Sequence, residues 1–445
     1  MKTKKVVVIG AGPAGLTAAY ELASKPGFKV VVLETTDVMG GIARTVNCNG
    51  NLMDVGGHRF FTDIPEIEKW WQNMMPVMER ERHSRILFDE KFYDYPVKLG
   101  FGTLKNMGLT TTLSVGGSFI KSRFYKRKIK SLEDYYINRF GKKMYRMFFE
   151  KYTENLWGRH PRDISPEYGM ERVNDKISIL GLIFGAFKKK EKDTFWYPEL
   201  GPGQMWETVA EKVKELGGAI KTGAKVIGIK RDSSGKVTSV VYEKDGKKHI
   251  EKCDILVSSM PLADLVGALD SVPKKYQKVA NGLPYRDYVI VGVLVRKLKE
   301  VLDDDWIYVH DRGVRMGRVQ IYNNWSPALV KDAKKTVWLG LEYFCNEGDD
   351  LWMMADADFE KMAVEELRKI GLIDENEKIL DYHVEHQKKA YPAYFDTYAQ
   401  IDELKKYLGR TRNLYLVGRN GRHQYDNIDI VMKSAFDAVK QIREA

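Results

Sequence analysis

The chain opens with the β-branched run Val6–Ile9, which ends in the glycines of GAGPAG (residues 10–15) and is followed by LTAAYELAS, where Ala and Leu recur at helical spacing. Uninterrupted apolar runs of this kind mark strands buried on both faces of a parallel sheet. FKVVVLE, Phe28–Glu34, is a second such run, and the two strands with the helix between them form a β-α-β unit. From about Ser84 to Lys190 the pattern changes to Lys, Arg, Phe, Tyr and Met with few β-branched runs. SLEDYYINRFGKKMYRMFFEKYTENLWG places its apolar residues at helical spacing, which predicts a mostly helical region. Another helix is predicted over Trp206–Leu216. The alternation that follows, broken by DSSGK and KDGK, predicts a β-meander returning to the buried strand DILVSSM. Between Tyr285 and Tyr343, YVIVGVLVRK, DDWIYVHD, RVQIYNN and TVWLGLEYF read as antiparallel strands. DADFEKMAVEELRKIGL reads as a helix, NLYLVGRNG as a last buried strand entering a glycine turn, and IDIVMKSAFDAVKQIREA as the closing helix.

These elements predict an α/β protein with a discontinuous Rossmann-like dinucleotide-binding domain built from residues 1–83, 196–268 and 401–445. A mostly helical substrate or lid domain (84–195) and an antiparallel sheet domain (269–400) are inserted into it. A length of 445 residues agrees with two or three domains. The formal charge of +11 suits an anionic partner, or simply a Lys-rich solvated surface. KSRFYKRKIK, 121–130, is the densest basic patch and reads as a solvated helix or loop. No nucleic-acid-binding motif accompanies it, so no nucleic-acid partner is expected. KKKEKD, 188–193, reads as a solvated mobile loop.

Cys48, Cys253 and Cys345 are scattered and odd in number, which shows neither a disulfide framework nor zinc-ligand spacing and suits a reducing compartment. No metal is expected. The N-terminal VVVI is too short for a signal peptide. The longest apolar stretch elsewhere, ISILGLIFGAF at 177–187, falls short of the ~20 residues that a membrane helix needs. A cytoplasmic protein without stable membrane insertion is expected.

The chemistry begins at Gly10, Gly12 and Gly15, a G-x-G-x-x-G directly after a strand and opening a helix. The first glycine permits the tight turn, the second lets backbone approach a pyrophosphate, and the third lets helix and strand pack closely. Pro13 and Ala14 begin the helix whose amides face the phosphates. Glu34, nineteen residues after Gly15 at the end of the second strand, is placed to meet a ribose hydroxyl, with Thr35 beside it. A carboxylate there disfavours the 2′-phosphate of NADP. A second glycine turn follows at Gly40-Gly41-Ile42-Ala43-Arg44, able to close on the pyrophosphate from the other side with Arg44 as counter-charge. This GG-x-x-R pattern resembles the FAD-binding amine-oxidase and mutase group and points to FAD over NAD. Val226, Gly418, Arg419, Asp429 and Ile430 are the remaining expected cofactor contacts, the last helix aiming its amides at the flavin. In Asp54–Asp63, DVGGHRFFTD, Gly56 and Gly57 let main chain lie against a flat ring system where a Cβ would clash, with His58 beside it. A buried turn histidine is the alternative reading.

Over nearly its whole length the sequence resembles the UDP-galactopyranose mutases, especially the eukaryotic-type enzymes. DVGGH resembles the flavin-facing loop and FYDYPVK the uridine-side segment, with Tyr95 and with Lys98 where those enzymes usually carry glutamine. ENLWGRHPRDISPEYGMERV resembles the helical stretch ending in a diphosphate-binding arginine, here Arg172. DDWIYV and RVQIYNNWSP resemble a strand pair that would contribute Trp306, Tyr308, Arg318 and Asn324. AYPAY supplies Tyr391, and GRNGRHQYDNIDIVM supplies Tyr425. Two arginines neutralise a diphosphate and three tyrosines donate to its oxygens. With 24 tyrosines in the chain, core packing is the alternative for each of them.

The resemblance implies that FAD acts in its reduced form, with NADH or NADPH as a candidate reductant. Its N5 attacks the anomeric carbon of a UDP-sugar as the nucleotide diphosphate leaves and then returns, with no net redox. His58, Arg172 and Arg318 are the expected catalytic residues, and a homo-oligomer is a further expectation. Two other functions are compatible with the motifs. One is an FAD oxidoreductase of the amine-oxidase or protoporphyrinogen-oxidase type. The other is a flavin-binding scaffold with a basic interaction surface.

Overall fold

The computed structural model describes residues 3–95, 97, 101–172, 193–311 and 313–445. A five-stranded parallel sheet runs in the order Leu414–Leu416, Ile255–Ser258, Lys4–Ile9, Phe28–Leu33 and Ala219–Lys221. Alternate residues of its central strands enter different cores. Val6, Val8, Val30, Val32 and Val257 pack under the helices Pro13–Ala23, Pro202–Glu215 and Ile428–Glu444. Val7, Ile9, Val31, Leu33 and Leu256 face the meander Lys225–Lys252 and the helices Leu262–Ala268, Lys274–Asn281 and Ile401–Leu408. Both faces are covered, which is why the strand sequences are apolar without interruption. Strands from residues 4–33, 219–258 and 414–416 meet in this one sheet.

The second sheet has seven strands, in the order Ile379–Pro392, Tyr285–Val295, Val337–Cys345, Arg318–Ile321, Trp306–Val309, Ser84–Phe88 and Lys91–Asp94. All its pairings are antiparallel except that of Trp306–Val309 with Ser84–Phe88. Val289, Val291, Leu339 and Leu341 on one face pack against helix Asp356–Lys369. Tyr288, Ile290, Trp306 and Phe344 on the other join the largest core.

Two features differ from the sequence expectation. The stretch 84–195, expected to be mostly helical, carries helices from Phe101 to Arg172 but begins with two strands of this sheet. The strand Ile379–Pro392 has no counterpart in the expected elements, because ILDYHVEHQKKAYP is an edge strand whose polar residues stay partly exposed. Residues 177–187 and all of the 188–193 charge run but Asp193 lie outside the described residues.

Candidate dinucleotide and substrate site

The first strand ends at Ile9 and turns at Gly10, whose φ is +97°, and a Cβ on Gly15 would stand far inside van der Waals contact with the Gly10 carbonyl oxygen. The helix Pro13–Ala23 therefore approaches the turn as closely as backbone permits. Its N-cap is Gly12, with no side-chain cap, and Pro13 fills its first turn. The second glycine turn lies against the first. Gly40 N–H donates to Ala11 O at 2.9 Å, and a Cβ on Gly12 would stand 3.8 Å from Gly41 Cα. The Glu34 carboxylate is held between two loops, accepting from Ala11 N–H at 2.7 Å and Thr36 N–H at 2.8 Å. Val226 is buried in the strand Lys225–Arg231, just beyond Ala224, whose N–H donates to Glu34 O at 2.7 Å. At the far end Gly418 has φ +76° and a Cβ there would press on Ala14. Uncapped helix amides, two apposed glycine turns and an anchored carboxylate fit a bound dinucleotide.

Arg44 is held by three acceptors. Its guanidinium donates to Gly41 O at 3.0 Å and to Gln387, and pairs with Glu385. It ties the second glycine turn to the long edge strand, so its charge is already matched.

The DVGGH loop is held from every side. Asp54 O accepts from Tyr322 Oη at 2.9 Å, and its carboxylate accepts from Thr45 Oγ1 at 2.7 Å and from Tyr197 Oη. Val55 O accepts from Tyr288 Oη at 2.7 Å and lies 2.8 Å from His58 Nε2. A carbonyl can only accept, so the neutral ring carries its proton on Nε2 when it bonds Val55 O. A Cβ on Gly57 would stand 2.8 Å from Gln320 Nε2, so the glycine lets this loop lie on the sheet. Burial, then the Arg419 and Arg318 charges, lower the His58 pKa to about 3; the imidazole is neutral. Burial raises that of Asp54 to about 7.

Beside this loop is a cavity of about 470 Å³. The expected residues Ile42, Gly56, Gly57, His58, Tyr95, Trp306, Tyr308, Arg318, Tyr391, Arg419 and Tyr425 all line it. Asn427 and Ile428, at the start of the last helix, line it too. The tyrosines are mutual neighbours: Tyr95 and Tyr308 have centroids 4.4 Å apart, and Tyr391 and Tyr425 4.9 Å. Burial, then Tyr425 and Glu342, hold the Tyr391 pKa well above its ordinary value, so this phenol is a neutral donor. Arg318 lies in the wall. Burial works against its charge, but the fully buried Glu342 beneath it, joined through Nε at 3.0 Å, keeps it ionised. Gln320 Nε2 also donates to Glu342, at 2.7 Å. Arg419 is fixed by the Asp426 and Ala390 carbonyls, with its guanidinium 4.9 Å from the Tyr425 ring centre.

Other expected residues lie elsewhere. Asn324 is not in the cavity wall; its amide donates at 2.8 Å to Leu302 O and Asp304 O and braces a turn. Thr35 is exposed at its strand end, Ile430 is exposed, and Asp429 is half-buried one position beyond the cavity-lining Ile428. Arg172 ends the helix Glu167–Arg172, and its side chain lies outside the described residues, as does Lys98.

The cavity also holds groups that the residue pattern does not single out. Arg59 lies over the Phe61 ring at 4.3 Å, and its ion pair to the half-exposed Asp193 is 3.3 Å long. Burial, then neighbouring Arg82, lower its pKa, against the pull of Asp193. Tyr152 stacks on His310 at 4.8 Å, and burial lowers the His310 pKa to about 3. Tyr136, Phe140, Phe148 and Phe149 form the apolar end. Arg59 is visible in DVGGHRFFTD beside His58; only its place in the wall marks it as a site residue.

The fold joins a Rossmann-type parallel sheet to an antiparallel sheet and a helical region. Residues 8–74 match the family described as NAD(P)-binding Rossmann-like domain. In structure the chain is similar to reduced UDP-galactopyranose mutase, with a TM-score of 0.84 and 19% identity over 100% of this chain and 94% of that one. A putative protoporphyrinogen oxidase from Exiguobacterium gives a TM-score of 0.77 and 15% identity, covering 100% of this chain and 99% of that one. In sequence, protoporphyrinogen oxidase 2 of Arabidopsis thaliana is 21% identical, covering 90% of this chain and 86% of that protein. A probable UDP-galactopyranose mutase of Klebsiella pneumoniae is 24% identical over 37% of this chain and 44% of its own length.

Proposed function

We propose that this protein is an FAD-dependent mutase that interconverts the pyranose and furanose forms of a nucleotide-diphosphate sugar, with UDP-galactopyranose and UDP-galactofuranose the pair to test first. The observation that carries this reading is the convergence of Arg318, Tyr308, Tyr391 and Tyr425 on the cavity wall that also holds Gly56, Gly57 and His58. Gly10, Gly12, Gly15, Gly41 and Glu34 would hold the dinucleotide, and the Gly56–His58 loop would lie against its flavin. When bound and reduced, the flavin supplies a nucleophilic N5 for the anomeric carbon, with NADH or NADPH as candidate reductants.

The protein's own part is to hold the departing diphosphate. Arg318 offers a fixed, bidentate cation, and neutral phenols donate hydrogen bonds without adding charge. Arg172 and Lys98 are assigned to the same substrate by resemblance, and Arg59 adds a second cation in the wall. The neutral His58 is suited to pack against a ring system and not to carry charge. The aromatic wall would limit water around the reacting atoms once substrate is bound.

A second reading, an FAD oxidoreductase, is favoured by two observations. Glu342 already balances Arg318, and the far end of the cavity is lined by Tyr136, Phe140, Phe148 and Phe149, which suits an apolar substrate. One experiment separates them. Protein reduced with dithionite without air is given UDP-galactofuranose, and UDP-galactopyranose is sought by chromatography. Product from reduced but not oxidised protein, with no reductant consumed per turnover, supports the mutase. Absence of product together with flavin reduction by an apolar substrate rejects it.

A further inference from the structure

The helix Phe101–Phe124 bends at Gly108, where φ is +72°. Beyond the bend, Val115 and Ser122 face the protein and are buried. The opposite side is also apolar: Leu109, Leu113, Ile120 and Phe124 are 75%, 67%, 58% and 80% exposed. At 100° per residue these four fall within an arc of about 60°. Tyr125 and Ile129, past the helix end, are exposed as well. Single exposed apolar side chains are ordinary, but a row of them marks an interaction surface.

The charge around this stripe has one sign. Residues 101–132 contain seven Lys and Arg and no Asp or Glu, in a chain whose formal net charge is +11. On the same helical projection Lys121 and Arg123 flank the stripe on its two sides, and exposed Lys126, Arg127, Lys128 and Lys130 follow. Arg127 pairs with Asp134 at 3.3 Å; the other six form no ion pair among the described residues. A second copy apposing the same face would bring two such basic segments together, which like-charge repulsion opposes. An anionic bilayer complements both features. Apolar side chains enter between headgroups, while long basic side chains flank them and reach the phosphates. No helix among the described residues is long and apolar enough to cross a membrane, so the contact is interfacial.

We propose that this face of the helical region, Leu109 to Lys130, docks the protein on the surface of an anionic lipid bilayer. The proposal does not depend on the mutase reading. It is tested by sedimentation of the full chain with vesicles of phosphatidylcholine alone and of phosphatidylcholine containing phosphatidylserine. The expected result is binding to the anionic vesicles alone, weakened about tenfold or more by added salt. Leu113→Glu/Ile120→Glu and, separately, Lys121→Glu/Lys126→Glu/Lys128→Glu should each reduce binding about tenfold or more. Melting temperature should be unchanged, since all five side chains are exposed. Failure of the wild type to bind anionic vesicles overturns the proposal, as does retained binding by either variant. Gel filtration showing a wild-type dimer that Leu113→Glu/Ile120→Glu dissociates would assign the face to a second copy, and would also overturn it.

Discussion

The glycine cradle and the aromatic cavity meet near Ile42 and the Gly56–His58 loop, yet they are built on opposite plans. The cradle is main chain: two apposed turns and a helix end, in which the space for a ligand is made by leaving Cβ atoms out. The cavity is side chain: rings, phenols and guanidinium groups drawn from separate segments. The first is governed by steric exclusion and the second by charge balance, so the two should fail in different ways.

The largest effect is expected in the cradle. Gly15→Val places atoms where the Gly10 carbonyl oxygen stands, a clash no rotamer relieves, and should cost about 4 kcal/mol or more. Purified variant should lack the flavin absorbance band and melt well below wild type. A yellow, stable Gly15→Val protein would refute the close approach of helix and turn.

In the cavity the corresponding failure is electrostatic. Arg318→Ala leaves Glu342 buried without a counter-ion and should cost about 3–5 kcal/mol in urea denaturation. Arg318→Met combined with Glu342→Gln should recover most of that stability, because Gln320 keeps an acceptor and no buried charge is left alone, while the proposed mutase turnover should stay lost. If the double variant is as unstable as the single one, the ion pair is not what holds this wall.

Asp54 is buried next to the Gly56–His58 loop in sequence, with its carboxylate on Thr45 and Tyr197. The folded protein keeps its proton up to about pH 7, whereas the unfolded chain releases it near 3.8. This group's contribution to stability is therefore full below the unfolded value and is lost as pH rises towards 7. Asp54→Asn should gain on wild type by a few kcal/mol in denaturation midpoints compared between pH 5 and pH 8. A constant difference across that range would place the Asp54 pKa outside it.

The smallest effect is expected from a single donor. Tyr391→Phe keeps the ring packing against Tyr425 and removes one hydroxyl, worth about 1 kcal/mol, so KM for the nucleotide sugar should rise roughly fivefold with kcat little changed. An unchanged KM would return Tyr391 to the core-packing alternative.

Signals carried by neighbouring residues are legible in the sequence alone. The β-branched strands, the three glycines, the acid at Glu34 and the His58 loop all lie where the residue pattern places them, because each depends on the conformations its own few residues permit. Strand Ile379–Pro392 leaves no such signal, since an edge strand needs no apolar period. Arg59 gives none either, because only its placement in the cavity wall distinguishes it from a surface arginine. Arg44 reads as a counter-charge for a pyrophosphate because its partner, Glu385, is 341 residues away.

The sequence by itself determined where main chain turns tightly and where strands are covered on both faces, since these follow from local sterics and from periodicity. Tertiary structure alone decided which charges are free. Glu342 under Arg318, Glu385 on Arg44 and Asp193 beside Arg59 are long-range pairings, and an arginine has the same letter whether its charge is matched or available to a ligand. The same holds for the exposed row Leu109–Phe124. A helix apolar on both faces reads as a buried helix, and only the packing of its neighbours shows that one face is left open to solvent.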